Sequence, residues 1–138
     1  MNTLEIVLGI LKDYQDLEYD SLDIQGIMHM RKQLSTHGVF LSSELALARK
    51  DWKQKEANYE ILKNQKRVKL LDKGTTKANW IARANLEAEL NESVEAESLY
   101  YEFYNILQFL KEVLSEMNQR IAILREEYKQ STYGQKQV

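Results

Sequence analysis

Apolar side chains recur at every third or fourth position from residue 99 to residue 128, and this pattern constrains the fold more than any other feature. The positions are Leu99, Phe103, Ile106, Leu110, Val113, Met117, Ile121, Leu124 and Tyr128. Such spacing puts one apolar face on a long α-helix. Leu107 and Leu114 widen the face beyond what a two-helix seam needs. We therefore expect a helix over residues 86–130 that is covered partly by its own chain and partly by other copies, with the positions from Leu99 to Leu124 as the interface of a homo-oligomer.

Breaks in the helical pattern are scarce. The chain has 138 residues, no proline and five glycines, and these are the residues that most often interrupt helices. The length suits one modest domain. We predict an all-α fold, a single helical domain over residues 1–138. It consists of a short N-terminal helix and a long antiparallel helical hairpin, and it assembles through coiled-coil-like contacts.

Two helices are predicted before the turn of the hairpin. Residues 3–17 have one apolar face and form a short helix. Residues 22–72 form a long basic helix, preceded by a cap region at Asp20 and Ser21. An apolar ladder on this helix keeps its phase through Gly38. The helix should therefore continue there, although a glycine inside a helix costs about 1 kcal/mol.

The turn is predicted at Gly74, within the sequence Lys73-Gly74-Thr75-Thr76. Glycine can adopt the left-handed conformation at a helix end, and either threonine can cap the helix that follows. A short helix is expected over residues 76–84. The polar residues 131–138 are expected to form a frayed tail.

Positive charge is concentrated in the middle of the chain. Residues 49–83 contain eleven basic and four acidic side chains; three basic and seven acidic side chains precede them, and five basic and ten acidic side chains follow. Clustered cations with interleaved aromatic rings can hold a phosphate backbone and stack bases. The predicted nucleic-acid-binding residues are Lys63, Lys66, Arg67, Lys69, Lys73, Lys77, Trp80 and Arg83.

The same charges have a plainer interpretation, a solvated helix face whose cations pair with the acidic flanks. Trp52 belongs to the apolar ladder, which favours a place in the core or at an interface. For Trp80 a core position and an exposed stacking platform are both open. No segment has the form of a major-groove reader, so any binding should be independent of base sequence.

Motifs for catalysis and metal binding are missing from the sequence. There is no cysteine, and the two histidines, His29 and His37, are too far apart for a helical metal pair. Lys73-Gly74-Thr75 lacks the earlier glycine of a phosphate-binding loop. The acidic run Glu87–Glu97 lacks the Glu-x-x-His elements of paired-metal helices, so a solvated face is expected. We predict a protein that is not an enzyme and uses no cofactor or metal.

The chain contains three segments, at residues 33–52, 67–74 and 106–124, that resemble segments of one known family, the UvsY family of recombination mediator proteins of T-even-type phages. QLSTHGVFLSSELALARKDW (33–52) is similar to the first long-helix segment of that family. RVKLLDKG (67–74) is similar to its basic-any-basic segment, which leads to a glycine turn and is associated with single-stranded DNA binding. ILQFLKEVLSEMNQRIAIL (106–124) is similar to its C-terminal segment.

The resemblance implies roles for single residues. It places phosphate contacts on Arg67 and Lys69. The family has aromatic residues after its basic pair, where this chain has Leu70 and Leu71. Base stacking would therefore have to come from Trp80 or Tyr59.

The resemblance also implies a function in DNA recombination and repair. Such a protein forms a ring, a hexamer or heptamer, that binds single-stranded DNA. It contacts the single-strand-binding protein and loads a RecA-like recombinase onto the covered strand. Glu87–Glu97 would be a docking surface for a basic partner. The expected location is the cytoplasm, that of the host cell if a phage encodes the chain, with no association with membranes.

Two other functions use the same sequence features. A structural or scaffolding coiled-coil protein of a phage would oligomerise without any preference for single strands. A duplex-binding architectural protein would bind double strands at least as tightly. These functions differ in the role that they give to the basic residues around Gly74.

Overall fold

A computed structural model describes residues 2–16 and 24–136, with side chains through residue 131. Its four helices are α1 (Thr3–Asp16), α2 (Ile24–Lys69), α3 (Thr75–Asn85) and α4 (Glu87–Lys136), and a 3₁₀ turn at Leu71–Lys73 follows α2. The described residues contain no strand. The predicted all-α class is therefore confirmed, and no helix in these two ranges is long and apolar enough to cross a membrane.

The helix ends differ slightly from the predicted ones. Helix α4 continues to Lys136, although the tail was predicted to fray from residue 131. The tail has no proline, so nothing in its backbone forces an end at residue 130. The predicted cap at Asp20 and Ser21, and the predicted helix start at residue 22, lie outside the described residues.

The chain divides into two compact units. Unit 1 comprises Met1–Ser43 and Asn105–Val138, and unit 2 comprises Glu44–Tyr104. Helices α2 and α4 each contribute a segment to both units. The single domain proposed from the sequence stays a prediction.

Unit 1 is built around an apolar core shared by α1, α2 and α4. Its buried apolar side chains are Val7, Leu11, Tyr14, Ile27, Leu34, Leu41, Leu107, Leu110, Val113, Met117 and Ile121. The three from α2 are seven positions apart, which keeps them on one side of the helix. Leu34 and Leu41 are the members of the predicted apolar ladder on either side of Gly38.

Within unit 1, α2 and α4 run in opposite directions. Arg31 Nη1 donates a hydrogen bond to Asn118 Oδ1 at 2.6 Å. Farther along α4, Arg125 Nη2 donates to Met28 Sδ at 3.8 Å. The later residue of α4 contacts the earlier residue of α2, as in an antiparallel pair.

Tyr14 ties α1 to α4. Its hydroxyl donates a hydrogen bond to Glu116 Oε1 at 3.1 Å, and the buried Arg120 also hydrogen-bonds to it. Burial raises the pKa of the Tyr14 phenol above its ordinary value of 10.0; Arg120 opposes this shift, and Glu116 adds to it. A polar network therefore fastens the short helix at the edge of the apolar core.

Unit 2 has a core of smaller side chains. Ala78 and Ala82 of α3 are fully buried, and Tyr59, Leu86 and Ala96 are nearly so. Because alanine takes little space, it lets the α3 backbone lie close to its neighbours. This packing holds the side of α3 that carries Ala78 and Ala82 against the unit and leaves its other side to solvent.

An aromatic cluster, defined as Trp52, Tyr100, Tyr101 and Tyr104, joins α2 to α4 in unit 2. The Trp52 and Tyr100 rings stack with centroids 5.2 Å apart and an interplanar angle of 27°. Tyr101 meets both of these rings, and Tyr104 lies beside Tyr100. Trp52 therefore belongs to the packing between helices, as its place in the ladder predicted.

Gly74 makes the turn between the 3₁₀ segment and α3. Its φ is 96° and its ψ 146°, and no other described residue has a positive φ. Its carbonyl oxygen accepts the hydrogen bond from Ala78 N at 2.9 Å that opens α3. Gly74 holds the cap position without any side-chain cap bond, so the predicted threonine cap is wrong.

Candidate nucleic-acid interface

All eight predicted nucleic-acid-binding residues lie in unit 2. Lys63, Lys66, Arg67 and Lys69 are in the last turns of α2, Lys73 ends the 3₁₀ turn, and Lys77, Trp80 and Arg83 are on α3. The chain passes from Lys69 to Thr75 through the short turn at Gly74. This turn joins the basic end of α2 to the basic helix α3.

The eight residues differ in exposure. Lys69, Lys73, Lys77 and Arg83 are exposed, and Trp80 is 75% exposed. Lys63, Lys66 and Arg67 are only partly exposed. The site therefore has an outer group of four cations and a tryptophan, and an inner group of three cations on the last turns of α2.

Arg67 is partly packed into unit 2 and is not simply a free surface cation. Its Nε is buried and has no hydrogen-bond partner among the described atoms. A buried donor without an acceptor is unfavourable by about 1–3 kcal/mol. The resemblance places a phosphate contact on this residue, but its substitution would also disturb unit 2. Lys69 is exposed, so its substitution removes a charge without opening the packing of unit 2.

Most of the cluster has no ion-pair partner in the part of the chain that the structure describes. The ion pairs there are Lys53–Glu56, Lys55–Asp51 and Lys63–Glu60. All three lie within α2, and none reaches α4. Lys63, the one predicted site residue among them, is 2.9 Å from Glu60. The exposed cations agree with the solvated helix face of the plainer interpretation, but the described ion pairs do not join the cluster to the acidic flanks.

The cations at the end of α2 have a structural role of their own. Lys66, Arg67 and Lys69 lie in the last turn of α2. Positive side chains there favour the helix by about 0.3–1 kcal/mol each, because the carbonyl end of a helix carries partial negative charge. Helix stability thus explains some charge at this position, and it also explains Arg83 in the last turn of α3. It does not explain Lys77, which lies in the first turn of α3.

Of the three aromatic rings in the basic segment, Trp52, Tyr59 and Trp80, the ring of Trp80 is the one available for stacking. Trp52 is held in the aromatic cluster, and Tyr59 is only 5% exposed. Trp80 follows the buried Ala78 by two positions, and at about 100° per residue this turns it toward the opposite side of α3. The sequence left open whether Trp80 lies in the core or on the surface, and the structure has it on the surface.

A concave surface lies beside Trp80. It has a volume of about 660 Å³ and is lined by Thr76, Asn79, Trp80, Arg83, Ala84, Glu87 and Leu90. The first five belong to α3 and the last two to the first turn of α4. Asn79, Glu87 and Leu90 were not among the predicted binding residues. Asn79 precedes Trp80 directly in α3, whereas Glu87 and Leu90 reach the concave surface from the first turn of α4.

The predicted oligomer interface is divided between burial and exposure. Leu110, Val113, Met117 and Ile121 are buried in the core of unit 1. Phe103, Ile106 and Leu124 are partly exposed, and Leu99 is 45% exposed. The chain itself thus covers half of the predicted positions, and an interface between copies stays a prediction.

Other exposed apolar side chains on α2 and α4 were missed by the sequence analysis. In unit 2 they include Leu47, Ile61 and Val68 on α2, and Val94 and Tyr101 on α4. They lie off the two ladders, so periodicity gave no reason to select them.

The histidines and carboxylates do not form a metal site in the described residues. No group of three His, Asp or Glu side chains is placed to hold an ion there. His29 is exposed and His37 partly exposed on α2. Most of the acidic run on α4 is exposed, as a solvated face would be.

The chain was compared with protein-family models, with curated proteins and with solved structures, and none of these matches it.

Proposed function

We propose that the protein binds single-stranded DNA without sequence specificity and promotes the loading of a RecA-like recombinase onto strands covered by single-strand-binding protein. One observation carries the binding step. Lys69, Lys73, Lys77 and Arg83 are exposed in the same compact unit as Trp80, and they have no ion-pair partner among the described residues.

The binding mechanism combines charge with stacking. The cations neutralise phosphates and release counterions, so affinity falls steeply with salt. Trp80 offers a ring face to an unpaired base, and stacking favours single strands because duplex bases are already stacked on each other. Neither contact reads base edges, which makes this part of the binding tolerant of sequence.

The recombinase-loading step rests on the resemblance of three segments to recombination mediator proteins. In this proposal the protein acts as a homo-oligomer, a ring, that organises the strand rather than altering it chemically. The exposed carboxylates of Glu87–Glu97 are the proposed docking surface for a basic segment of the recombinase or the single-strand-binding protein. Residues 87–104 carry six acidic and no basic side chains, which gives this segment the charge such a partner would need.

Binding is tested by fluorescence anisotropy with a single-stranded oligonucleotide and a duplex of equal length, at about 50 and about 300 mM salt. The test variant is Lys69→Ala/Lys73→Ala. The matched control is Arg49→Ala/Lys50→Ala, which removes two exposed charges from the same unit but outside the cluster. We expect salt-dependent binding that prefers the single strand, is lost in the test variant and is retained in the control.

Loading is tested separately, by the rate at which a RecA-like recombinase assembles on DNA already covered by single-strand-binding protein. Charge reversal at Glu92 and Glu95, both exposed, should slow assembly without changing DNA affinity. If the protein oligomerises but neither binds single strands nor assists assembly, the scaffold function replaces the proposal. Equal or tighter binding to the duplex would instead favour an architectural role.

A further inference from the structure

The concave surface beside Trp80 is lined by side chains of both charges, which phosphate binding alone does not require. Arg83 and Glu87 both line it, together with the amide of Asn79. A bare anion would be repelled by Glu87, and a bare cation by Arg83. A neutral planar group with both donors and acceptors on its edge would suit all of these side chains.

The geometry also favours a flat aromatic ligand. Trp80 is 75% exposed, so its ring has a free surface on which a second ring can stack. The volume of about 660 Å³ lies within the range of about 300–1,000 Å³ that is usual for ligand pockets. Trp80 and Arg83 are three positions apart and hence on the same side of α3.

We propose that this surface holds one unstacked nucleobase and prefers bases that carry an amino group. The base stacks on Trp80, and the Glu87 carboxylate accepts a hydrogen bond from the exocyclic amino group. Cytosine has an amino group at the position where thymine has a carbonyl oxygen, which would face the carboxylate unfavourably. Asn79 can donate and accept, and Arg83 can reach the adjoining phosphate.

The inference rests on the proposed function, because a bound strand must deliver the base. It also adds to that function: a strand held mainly through its phosphates would be gripped more firmly wherever an amino-bearing base reaches the concave surface. The binding would then be independent of sequence in its charge contacts and weakly selective at one base.

The experiment compares homopolymers of dC and dT of equal length by anisotropy at neutral pH. We expect the wild type to bind dC about fivefold more tightly, the lower end of what a good base contact provides. Glu87→Gln should bring the two affinities together, because its amide can donate to thymine as well as accept from cytosine. Glu102→Gln, which removes an exposed carboxylate of α4 outside the concave surface, should retain the preference.

A second measurement locates the stacked base. Tryptophan fluorescence of the wild type should be quenched by dC, whereas the Trp80→Phe variant, in which Trp52 is the remaining tryptophan, should show little quenching. Glu87 and Trp80 are both exposed, so neither substitution should disturb the core. Circular dichroism checks that the two variants keep the wild-type helix content.

The outcomes separate the two proposals. Tight binding with equal affinities for dC and dT, or a preference that survives in Glu87→Gln, would overturn the base pocket and leave single-strand binding standing. No binding to either homopolymer would overturn both. Quenching that persists in Trp80→Phe would place the base elsewhere and overturn the pocket.

Discussion

Gly38 of α2 lies directly against Leu110 of α4: a Cβ atom built on Gly38 would be 3.0 Å from Leu110 Cδ2. Leu110 is only 1% exposed, so it has little freedom to move away. The glycine weakens the helix locally but allows the two helices to approach. At Gly9, in α1, an added Cβ would meet nothing within 4 Å.

These two glycines give opposite predictions for the same substitution. Gly9→Ala should raise the free energy of unfolding by about 0.5–1 kcal/mol, because alanine is the better helix former. Gly38→Ala should lose that gain to the contact with Leu110 and be neutral or destabilising. Urea denaturation of both variants measures the difference. Equal stabilisation by the two changes would show that α2 and α4 are not in close contact at Gly38.

Tyr14 should make stability depend on alkaline pH. Its pKa is raised in the folded protein, so the folded state holds this proton more tightly than the unfolded state. The stabilisation is complete below the ordinary pKa of 10.0, and it is lost as pH rises through the folded pKa. We expect the wild type to lose more stability above pH 10 than Tyr14→Phe does.

The comparison for Tyr14 is the difference between the two proteins, since the other tyrosines titrate in both. Thermal unfolding at a series of pH values from neutral upward supplies it. Parallel curves for Tyr14→Phe and wild type would mean that the phenol is not held in the network with Glu116 and Arg120.

Met117 tests whether the apolar stripe of α4 is the core of its own chain. Met117 is fully buried, so Met117→Ala should reduce the free energy of unfolding by about 2–5 kcal/mol. Ile123, on the same helix, is 54% exposed. Ile123→Ala should therefore change the free energy of unfolding by no more than about 0.5 kcal/mol. A large effect at both positions would indicate that another copy covers the outer face of α4.

The salt dependence of DNA binding should distinguish free cations from engaged ones. Lys73→Ala and Lys77→Ala should each reduce the slope of log affinity against log salt by about 0.7, the contribution of one phosphate contact on a single strand. Lys63→Ala should change the slope less, since its ammonium group is already 2.9 Å from Glu60. Anisotropy titrations across a salt series measure all three. Equal slopes in the four proteins would remove Lys73 and Lys77 from the interface.

Periodicity predicted the helices well because burial imposes it. Leu34 and Leu41 belong to the apolar ladder of α2, and Leu110 and Met117 belong to the apolar stripe of α4 that was predicted as an oligomer interface; all four are buried within the chain itself. The absence of proline and the single turn glycine, Gly74, were enough to place the main connection. The sequence pattern could not exclude a threonine cap, because the backbone angles of Gly74 decide which residue holds the cap position.

The candidate site was less accessible to sequence reasoning. Charge clustering selected the cations, but it does not distinguish the partly buried Arg67 from the exposed Lys69, since exposure depends on packing between helices. Glu87 was assigned to a solvated acidic run, but it lines the concave surface together with Trp80, because α4 begins two positions after α3 ends. The tyrosines around Trp52 were not predicted as its partners, because Tyr101 and Tyr104 lie off the apolar stripe of α4.

The three described ion pairs each join residues three or four positions apart within α2, while the contacts between helices in unit 2 are aromatic and apolar. Fold and surface charge are therefore largely decoupled in this unit. Over evolutionary time the exposed charges on α2 could drift, reverse or disappear one at a time without misaligning the helices, whereas Arg67, with its buried Nε, also takes part in the packing. A related chain with the same aromatic contacts and a neutral turn would keep the architecture and have a different ligand.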